Sequence, residues 1–244
     1  MEFVEYDMAM SRRSLLRKVI LRFGLAGPLL AAMFFLPAGT WNYWQAWLYL
    51  AVLLIPMGWT LAHYLKKDPE LLERRMRTRE KERRQRVIIF LSYPVFLAAF
   101  LLPGLDRRYG WSRVPVGLVL LANLVVLAGY LLFLRVLKEN RFLSRVVEVD
   151  ARQSVIDTGP YAVVRHPMYA GILPLYLFSP LALGSFWALI PAAFLPLIII
   201  ARIFNEEKVL CRELPGYADY LRRVRFRLIS RSAMAKAFQI MAVR

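Results

Sequence analysis

Long apolar runs separated by charged segments are the strongest constraint on how this chain can fold. The runs cover residues 21–37, 41–65, 87–102, 114–137, 170–183 and 187–201. A helix that spans a bilayer needs about 20 mostly apolar residues, and it satisfies its own backbone hydrogen bonds. We therefore predict an all-α integral membrane protein built as a multi-span helical bundle. Its last two runs, separated only by residues 184–186, predict a C-terminal helical hairpin.

The charge of the chain fits the same setting. It carries 34 Lys and Arg against 17 Asp and Glu, a formal net charge of +17, while 59% of its residues are hydrophobic. A soluble nucleic-acid-binding protein can be this basic but does not carry repeated membrane-length apolar runs. Basic loops beside membrane spans account for both features. We expect membrane lipids as partners and no nucleic acid.

The distribution of basic residues predicts the orientation. Lys and Arg concentrate in the N-terminal segment, in residues 66–86 and in the stretches after residues 137 and 201, whereas the turns at 37–40 and 184–186 carry none. The predicted loop at 103–113, which is also basic, is the one discordant signal. By the positive-inside rule, both termini and the active site are expected to be cytoplasmic, with an even number of crossings.

The chain divides into three predicted parts. Residues 1–110 hold the N-terminal spans and a basic connector, residues 111–230 hold the functional membrane core, and residues 231–244 form a C-terminal tail. The connector at 66–86 mixes basic and acidic side chains. Its expected role is a solvated helical face beside anionic lipid.

A polar cluster interrupts the apolar pattern at residues 157–171, which read D-T-G-P-Y-A-V-V-R-H-P-M-Y-A-G. Gly159-Pro160 breaks the backbone, and Arg165-His166 precedes Pro167. Proline disfavours a helical residue before it and is well placed at the first position of a helix. We therefore predict that a helix begins at Pro167. Its free N–H groups would attract an anion, so the cluster is a candidate pocket for a charged small molecule.

A second group of charged residues follows the last apolar run. Arg202 and Glu206 are four residues apart and so share one face of a helix. Charges in this position can be an ordinary interfacial ion pair, or they can face a cavity. If the hairpin brings this end beside the Pro167 helix, then Arg202, Glu206, His166 and Tyr169 line one pocket.

Metal chemistry is not expected. The chain has one cysteine, Cys211, and two widely separated histidines, His63 and His166. A structural zinc site needs a cluster of such ligands. We expect no metal and no disulfide.

The motifs resemble a known family. The run G-P-Y-x-x-V-R-H-P-M-Y-x-G, the later Arg202-x-x-x-Glu206-Glu207 and the stretch Tyr217-x-x-Tyr220 are similar to the signature of the isoprenylcysteine carboxyl methyltransferase family and related membrane phospholipid methyltransferases. The similarity covers residues 140–229. It implies an all-helical membrane enzyme that uses S-adenosyl-L-methionine, bound on the cytosolic side.

The resemblance also implies roles for individual residues. Arg202 and Glu206 are the implied catalytic residues, with Arg202 orienting the acceptor and Glu206 also close to the cofactor. The other implied cofactor-binding residues are Glu148, Gln153, Ser154, Val155, Ile156, Tyr161, His166, Pro167, Met168 and Tyr169.

The resemblance is compatible with more than one class of methyl acceptor. The implied reaction is methyl transfer to a lipophilic acceptor that enters from the bilayer, most like carboxyl O-methylation of an isoprenylcysteine. A phospholipid amine and a small lipophilic thiol are alternatives, and membrane sterol reductases share a related C-terminal architecture. A carboxylate is ionised near neutral pH and needs no base, whereas an amine would have to lose a proton, for which Glu206 is the candidate base.

Overall fold

The computed structural model describes residues 12–77, 80, 82–150 and 152–228. The tail predicted at 231–244 lies outside them. Within the described residues the protein is all helical, without strands, which confirms the predicted fold class. Helices α1 (Arg12–Ala38), α2 (Trp44–Lys67), α4 (Arg83–Tyr109) and α5 (Val116–Glu139) are long and apolar enough to cross a membrane.

The C-terminal part adds a shorter apolar helix and a fifth candidate span. Helix α6 (Pro167–Ala182) begins at Pro167, as predicted, with His166 at its N-cap. A single turn, α7 (Leu189–Ala192), leads into α8 (Leu195–Glu213), and residues 189–213 together are long enough to span a bilayer. Helix α9 (Tyr217–Arg223) follows. The protein is therefore an integral membrane protein with the predicted helical hairpin near its C-terminus.

Helices α5 and α6 pack most closely, at a pair of glycines. A Cβ on Gly129 would lie 2.5 Å from the carbonyl oxygen of Gly171, and a Cβ on Gly171 would lie 2.8 Å from that of Gly129. Small residues allow membrane helices to approach backbone to backbone. This contact fixes α6, and with it the polar cluster at its start, against the core.

The predicted loop at 103–113 is largely wrong, because α4 continues through Pro103 to Tyr109. The carboxylate of Asp106 lies inside the fold, 1% exposed. It accepts hydrogen bonds from the backbone and hydroxyl of Ser112, both at 2.6 Å, and from the hydroxyl of Ser185 at 2.5 Å. A charge satisfied by these donors can remain in a helix, so it did not mark a loop.

The expected solvated face at 66–86 is also wrong in part. Helix α3 (Pro69–Met76) buries Leu71, Leu72, Met76 and even Arg74. Asp68 caps the helix by accepting from the N–H of Leu71 at 3.2 Å. The apolar residues of α3 recur at helical spacing and pack against α1 and α2. The many charged residues in this segment hid that apolar pattern in the sequence.

Candidate active site

The start of α6 is joined to the segment that follows α9. The N–H groups of Arg165 and His166 donate to the carbonyls of Phe226 and Arg227, both at 2.9 Å. Among the described residues, no side chain caps the N-terminus of α6. These two backbone bonds bring the basic pair before Pro167 next to the basic stretch near residue 227.

A buried carboxylate lies at the centre of these cations. Oε1 of Glu207 is 3.0 Å from Nη1 of Arg165 and 3.3 Å from Nε2 of His166, and Oε2 is 2.8 Å from Nη2 of Arg227. The side chains of Glu207 and His166 are 8% and 4% exposed. The pairing compensates the cost of burying the charges. Glu207 thus connects α8 both to the polar cluster and to the segment that follows α9.

The neighbouring residue, Glu206, forms a second linkage. The hydroxyl of Tyr169 donates to Oε2 of Glu206 at 2.8 Å, and Nε of Arg202 donates to the oxygen of Tyr169 at 3.3 Å. Nη2 of Arg202 also donates to the carbonyl of Arg145 at 3.3 Å. The predicted placement of Arg202, Glu206, His166 and Tyr169 around one pocket is therefore observed, and Tyr169 links the arginine to the carboxylate.

A different segment, residues 140–158, links α5 to the polar cluster and is called the connector from here on. Nδ2 of Asn140 donates to the hydroxyl of Tyr161 at 2.9 Å, and the hydroxyl of Tyr220 donates to the carbonyl of Tyr161 at 2.8 Å. Burial raises the pKa of Tyr161, so its hydroxyl stays protonated and able to donate near neutral pH. These bonds hold Tyr161 of the polar cluster to the end of α5 at Asn140 and to α9.

A polar cavity of about 90 Å³ lies between this connector and helices α6, α8 and α9. Every residue implied by the resemblance lines it except Pro167, which is buried and begins α6. The implied residues on its wall are Glu148, Gln153, Ser154, Val155, Ile156, Tyr161, His166, Met168, Tyr169, Arg202 and Glu206. Their roles as ligands stay predictions.

Glu148 and Gln153, which belong to the connector, also have hydrogen-bond partners within the protein. Oε1 of Glu148 accepts from Nη1 of Arg77 at 2.7 Å and from the hydroxyl of Ser144 at 3.1 Å. Gln153 closes a turn, with its side-chain oxygen accepting from the N–H of Asp150 at 3.2 Å. Both side chains are thus held in place on the connector side of the cavity.

A second, larger cavity of about 700 Å³ opens between the helices. Its wall is mostly apolar and aromatic, with side chains from α1 to α6 and from α8. Such a space suits a hydrophobic chain. The residues that it shares with the polar cavity are Arg145, Val146, Met168, Tyr169 and Arg202.

Comparison with known proteins gives one result that bears on these residues. The model of the isoprenylcysteine carboxyl methyltransferase (ICMT) family matches residues 119–212, from the body of α5 to the end of α8. The match supports assignment of the chain to this family. No curated protein matches the chain. The predicted family resemblance is thereby confirmed, and the matched region contains both Pro167 and the Arg202–Glu207 motif.

Several functional candidates were missed by the sequence reading. Tyr217 and Tyr220 are not among the predicted site residues, but both are buried and both line the polar cavity. Leu210 and Leu214 line it as well. Successive residues on a helix point in different directions, so the adjacent Glu206 and Glu207 indicate in the sequence that the two carboxylates contact different groups. Glu206 lines the cavity and Glu207 binds the cations behind it.

Proposed function

We propose that this member of the isoprenylcysteine carboxyl methyltransferase family transfers the methyl group of S-adenosyl-L-methionine to a lipophilic acceptor, most like the carboxylate of an isoprenylcysteine. The junction of the two cavities carries this proposal. A polar cavity and an apolar cavity of about 700 Å³ share Arg202, Tyr169 and Met168. A methyltransferase for a lipid needs this arrangement, since the reacting atoms must meet between a polar and an apolar site.

The side chains around the polar cavity fit the cofactor. Nε of Arg165 is buried without a hydrogen-bond partner in the described part of the chain, and Arg165 lines the cavity beside the uncapped start of α6. An anionic group such as the carboxylate of the cofactor would satisfy this donor. Tyr217, Tyr220, Val155 and Leu214 offer an aromatic and apolar wall for the adenine.

The polar cavity is smaller than a typical ligand pocket. About 90 Å³ is less than the 300–1,000 Å³ that is roughly typical of ligand pockets. We therefore expect the connector at 140–158 to move outward when the cofactor binds. Ser154 in this connector is exposed, and protection of the connector against hydrogen exchange by S-adenosyl-L-methionine would report the movement.

The residues at the junction suit methyl transfer to a carboxylate. The cofactor supplies a methyl group on a positively charged sulfur. Arg202 would orient the acceptor carboxylate. Tyr169 would hold the side chains of Glu206 and Arg202 in fixed positions relative to each other. With the cofactor held beside Arg165 and the start of α6, an acceptor oxygen would take the methyl group, and the sulfur would leave as a neutral thioether. No proton transfer is needed, so positioning and exclusion of water are the main contributions of the protein.

A direct experiment tests the proposal. Titration calorimetry in nanodiscs should show binding of S-adenosyl-L-methionine but not of a reduced nicotinamide cofactor, which a sterol reductase-like protein would prefer. Labelled methyl groups should then appear in a base-labile ester of N-acetyl-S-farnesylcysteine. Absence of cofactor binding by the folded protein would overturn the function, and label found only in amine headgroups or thioethers would favour the alternative acceptors.

A further inference from the structure

Arg75 in helix α3 is a partly buried cation without a carboxylate partner in the part of the chain that the structure describes. Its Nη1 donates to the carbonyl of Ser144 at 3.0 Å and lies 3.7 Å from the sulfur of Met168. The guanidinium also packs over the ring of Phe133, at 5.2 Å from its centroid. A cation removed from water is costly unless an anion compensates it.

The pKa of Arg75 reflects these surroundings. Burial lowers it first, and the nearby charge of Arg145 lowers it further. An arginine nevertheless remains charged at physiological pH. The side chain therefore retains a positive charge, and no carboxylate among the described residues pairs with it.

Arg75 and Arg202 bind neighbouring residues on the same two segments of the chain. Arg75 donates to the carbonyl of Ser144, and Arg202 donates to the carbonyl of the next residue, Arg145. On α6 they contact consecutive residues, since Arg75 touches Met168 and Arg202 touches Tyr169. Both arginines line the apolar cavity; Arg202 also lines the polar cavity, and Arg75 contacts Met168, which both cavities share.

The charged residues that line the apolar cavity all carry the same sign of charge. Among the described residues that line it, none is acidic, whereas Arg75, Arg145 and Arg202 are basic. The carboxylates that act on Arg202 are Glu206 and Glu80, and neither lines the apolar cavity. Glu206 lines the polar cavity and is bound by Tyr169. A cationic amine headgroup would be repelled by this arrangement, and an anionic headgroup would be attracted.

We propose that Arg75 is a further acceptor-binding residue, which binds the anionic group of the acceptor together with Arg202. The inference rests on the proposed methyltransferase function and deepens it. It assigns acceptor binding to a residue of α3, outside the segment that matches the family. The apolar tail of the acceptor would occupy the cavity of about 700 Å³ beyond the two guanidinium groups.

The test uses the full chain in nanodiscs, with N-acetyl-S-farnesylcysteine as acceptor and its carboxamide as a competing ligand. Wild type should bind the carboxylate at least tenfold more tightly than the carboxamide, about the effect of one lost charge-assisted hydrogen bond. Arg75→Gln should raise the acceptor KM about tenfold or more and remove most of this preference. The Kd of S-adenosyl-L-methionine should stay within about twofold, because Arg75 does not line the polar cavity.

Two further variants sharpen the result. Arg84→Gln alters an exposed arginine at the start of α4 and should leave the KM and the preference unchanged. Arg75→Lys keeps the charge but loses the planar fork, and it should raise the KM by a smaller factor than Arg75→Gln. If Arg75→Gln does not fold, as judged by loss of cofactor binding, then an unchanged KM in Arg75→Lys overturns the proposal.

The possible results distinguish a failure of the role given to Arg75 from a failure of the methyltransferase function. A normal acceptor KM and an intact carboxylate preference in Arg75→Gln would overturn the role of Arg75 while leaving the methyltransferase function in place. Methylation by wild type of amine lipids alone would overturn the anionic acceptor. Failure of wild type to bind S-adenosyl-L-methionine would instead overturn the proposed function itself.

Discussion

The hydroxyl of Tyr169 on α6 donates a hydrogen bond to Oε2 of Glu206 on α8 at 2.8 Å. Arg202 donates from Nε to the same tyrosine oxygen at 3.3 Å. One phenol therefore fixes the relative positions of a carboxylate on the polar cavity and of an arginine shared by both cavities. These side chains come from separate helices and adopt this geometry only when α6 and α8 are packed together.

Tyr169→Phe removes this linkage without changing the size of the ring. A hydrogen bond to a charged group contributes about 1.5–3 kcal/mol, so we expect turnover to fall by about 10- to 100-fold. Cofactor affinity should change much less, since the other residues of the polar cavity remain. Single-turnover kinetics together with calorimetry would separate the two effects. Wild-type kcat in this variant would show that the hydroxyl is not needed to position Arg202.

Glu207→Gln leaves Arg165, His166 and Arg227 without their shared carboxylate. Breaking a buried ion pair on one side typically costs about 3–5 kcal/mol, so the variant should unfold at a clearly lower temperature. Glu213→Gln is the matched control on the same helix, because its pair with Arg212 is exposed and should contribute at most about 1 kcal/mol. Thermal unfolding in detergent checks both. Equal Tm values for the two variants would contradict the role given to Glu207.

Gly171→Ala should separate α5 from α6. The added Cβ would lie 2.8 Å from the carbonyl oxygen of Gly129, and neither backbone can move away without shifting its helix. We expect a lower Tm and weaker cofactor binding, because α6 carries His166 and Tyr169. Gly117→Ala serves as the control, since a Cβ there meets nothing within 4 Å. If both variants behave like wild type, the close helix contact is not required.

The predicted orientation can be tested with the single cysteine of the chain. Cys211 is exposed and lies near the polar cavity, between its lining residues Leu210 and Leu214. If the active site is cytoplasmic, a membrane-impermeant maleimide should label Cys211 only after the cells are opened. Trp111→Cys in a Cys211→Ser background marks the opposite end of the bundle and should be labelled in intact cells. The reverse pattern would contradict the positive-inside prediction.

The pH dependence of turnover distinguishes the acceptor classes. A carboxylate with an ordinary pKa near 3.5 is fully ionised above about pH 5, so its methylation should be nearly independent of pH from about 6 to 8. An amine acceptor must lose its proton, and its methylation should rise with pH over that interval. Initial rates with saturating cofactor decide the matter. A steady tenfold rise per pH unit would rule out a carboxylate acceptor.

Much of the architecture could be predicted from the sequence because its signals are local. Apolar length predicts membrane helices, and the dipeptide His166-Pro167 predicts where α6 begins, since the backbone of each residue is restricted by its immediate neighbour. The spacing of Arg202 and Glu206 likewise predicts a shared helix face. The family signature then selected residues that, apart from Pro167, line one cavity.

The tertiary structure decided what depends on contacts between distant segments. The burial of Asp106 depends on Ser185, 79 residues away, so the charge looked like part of a loop in the sequence alone. Arg75 belongs to a charged segment that reads as solvated, yet it donates to Ser144, 69 residues away, and lines the apolar cavity. Charge patterns identify groups that need partners, but only the packing of helices determines whether water, another side chain or a ligand satisfies them.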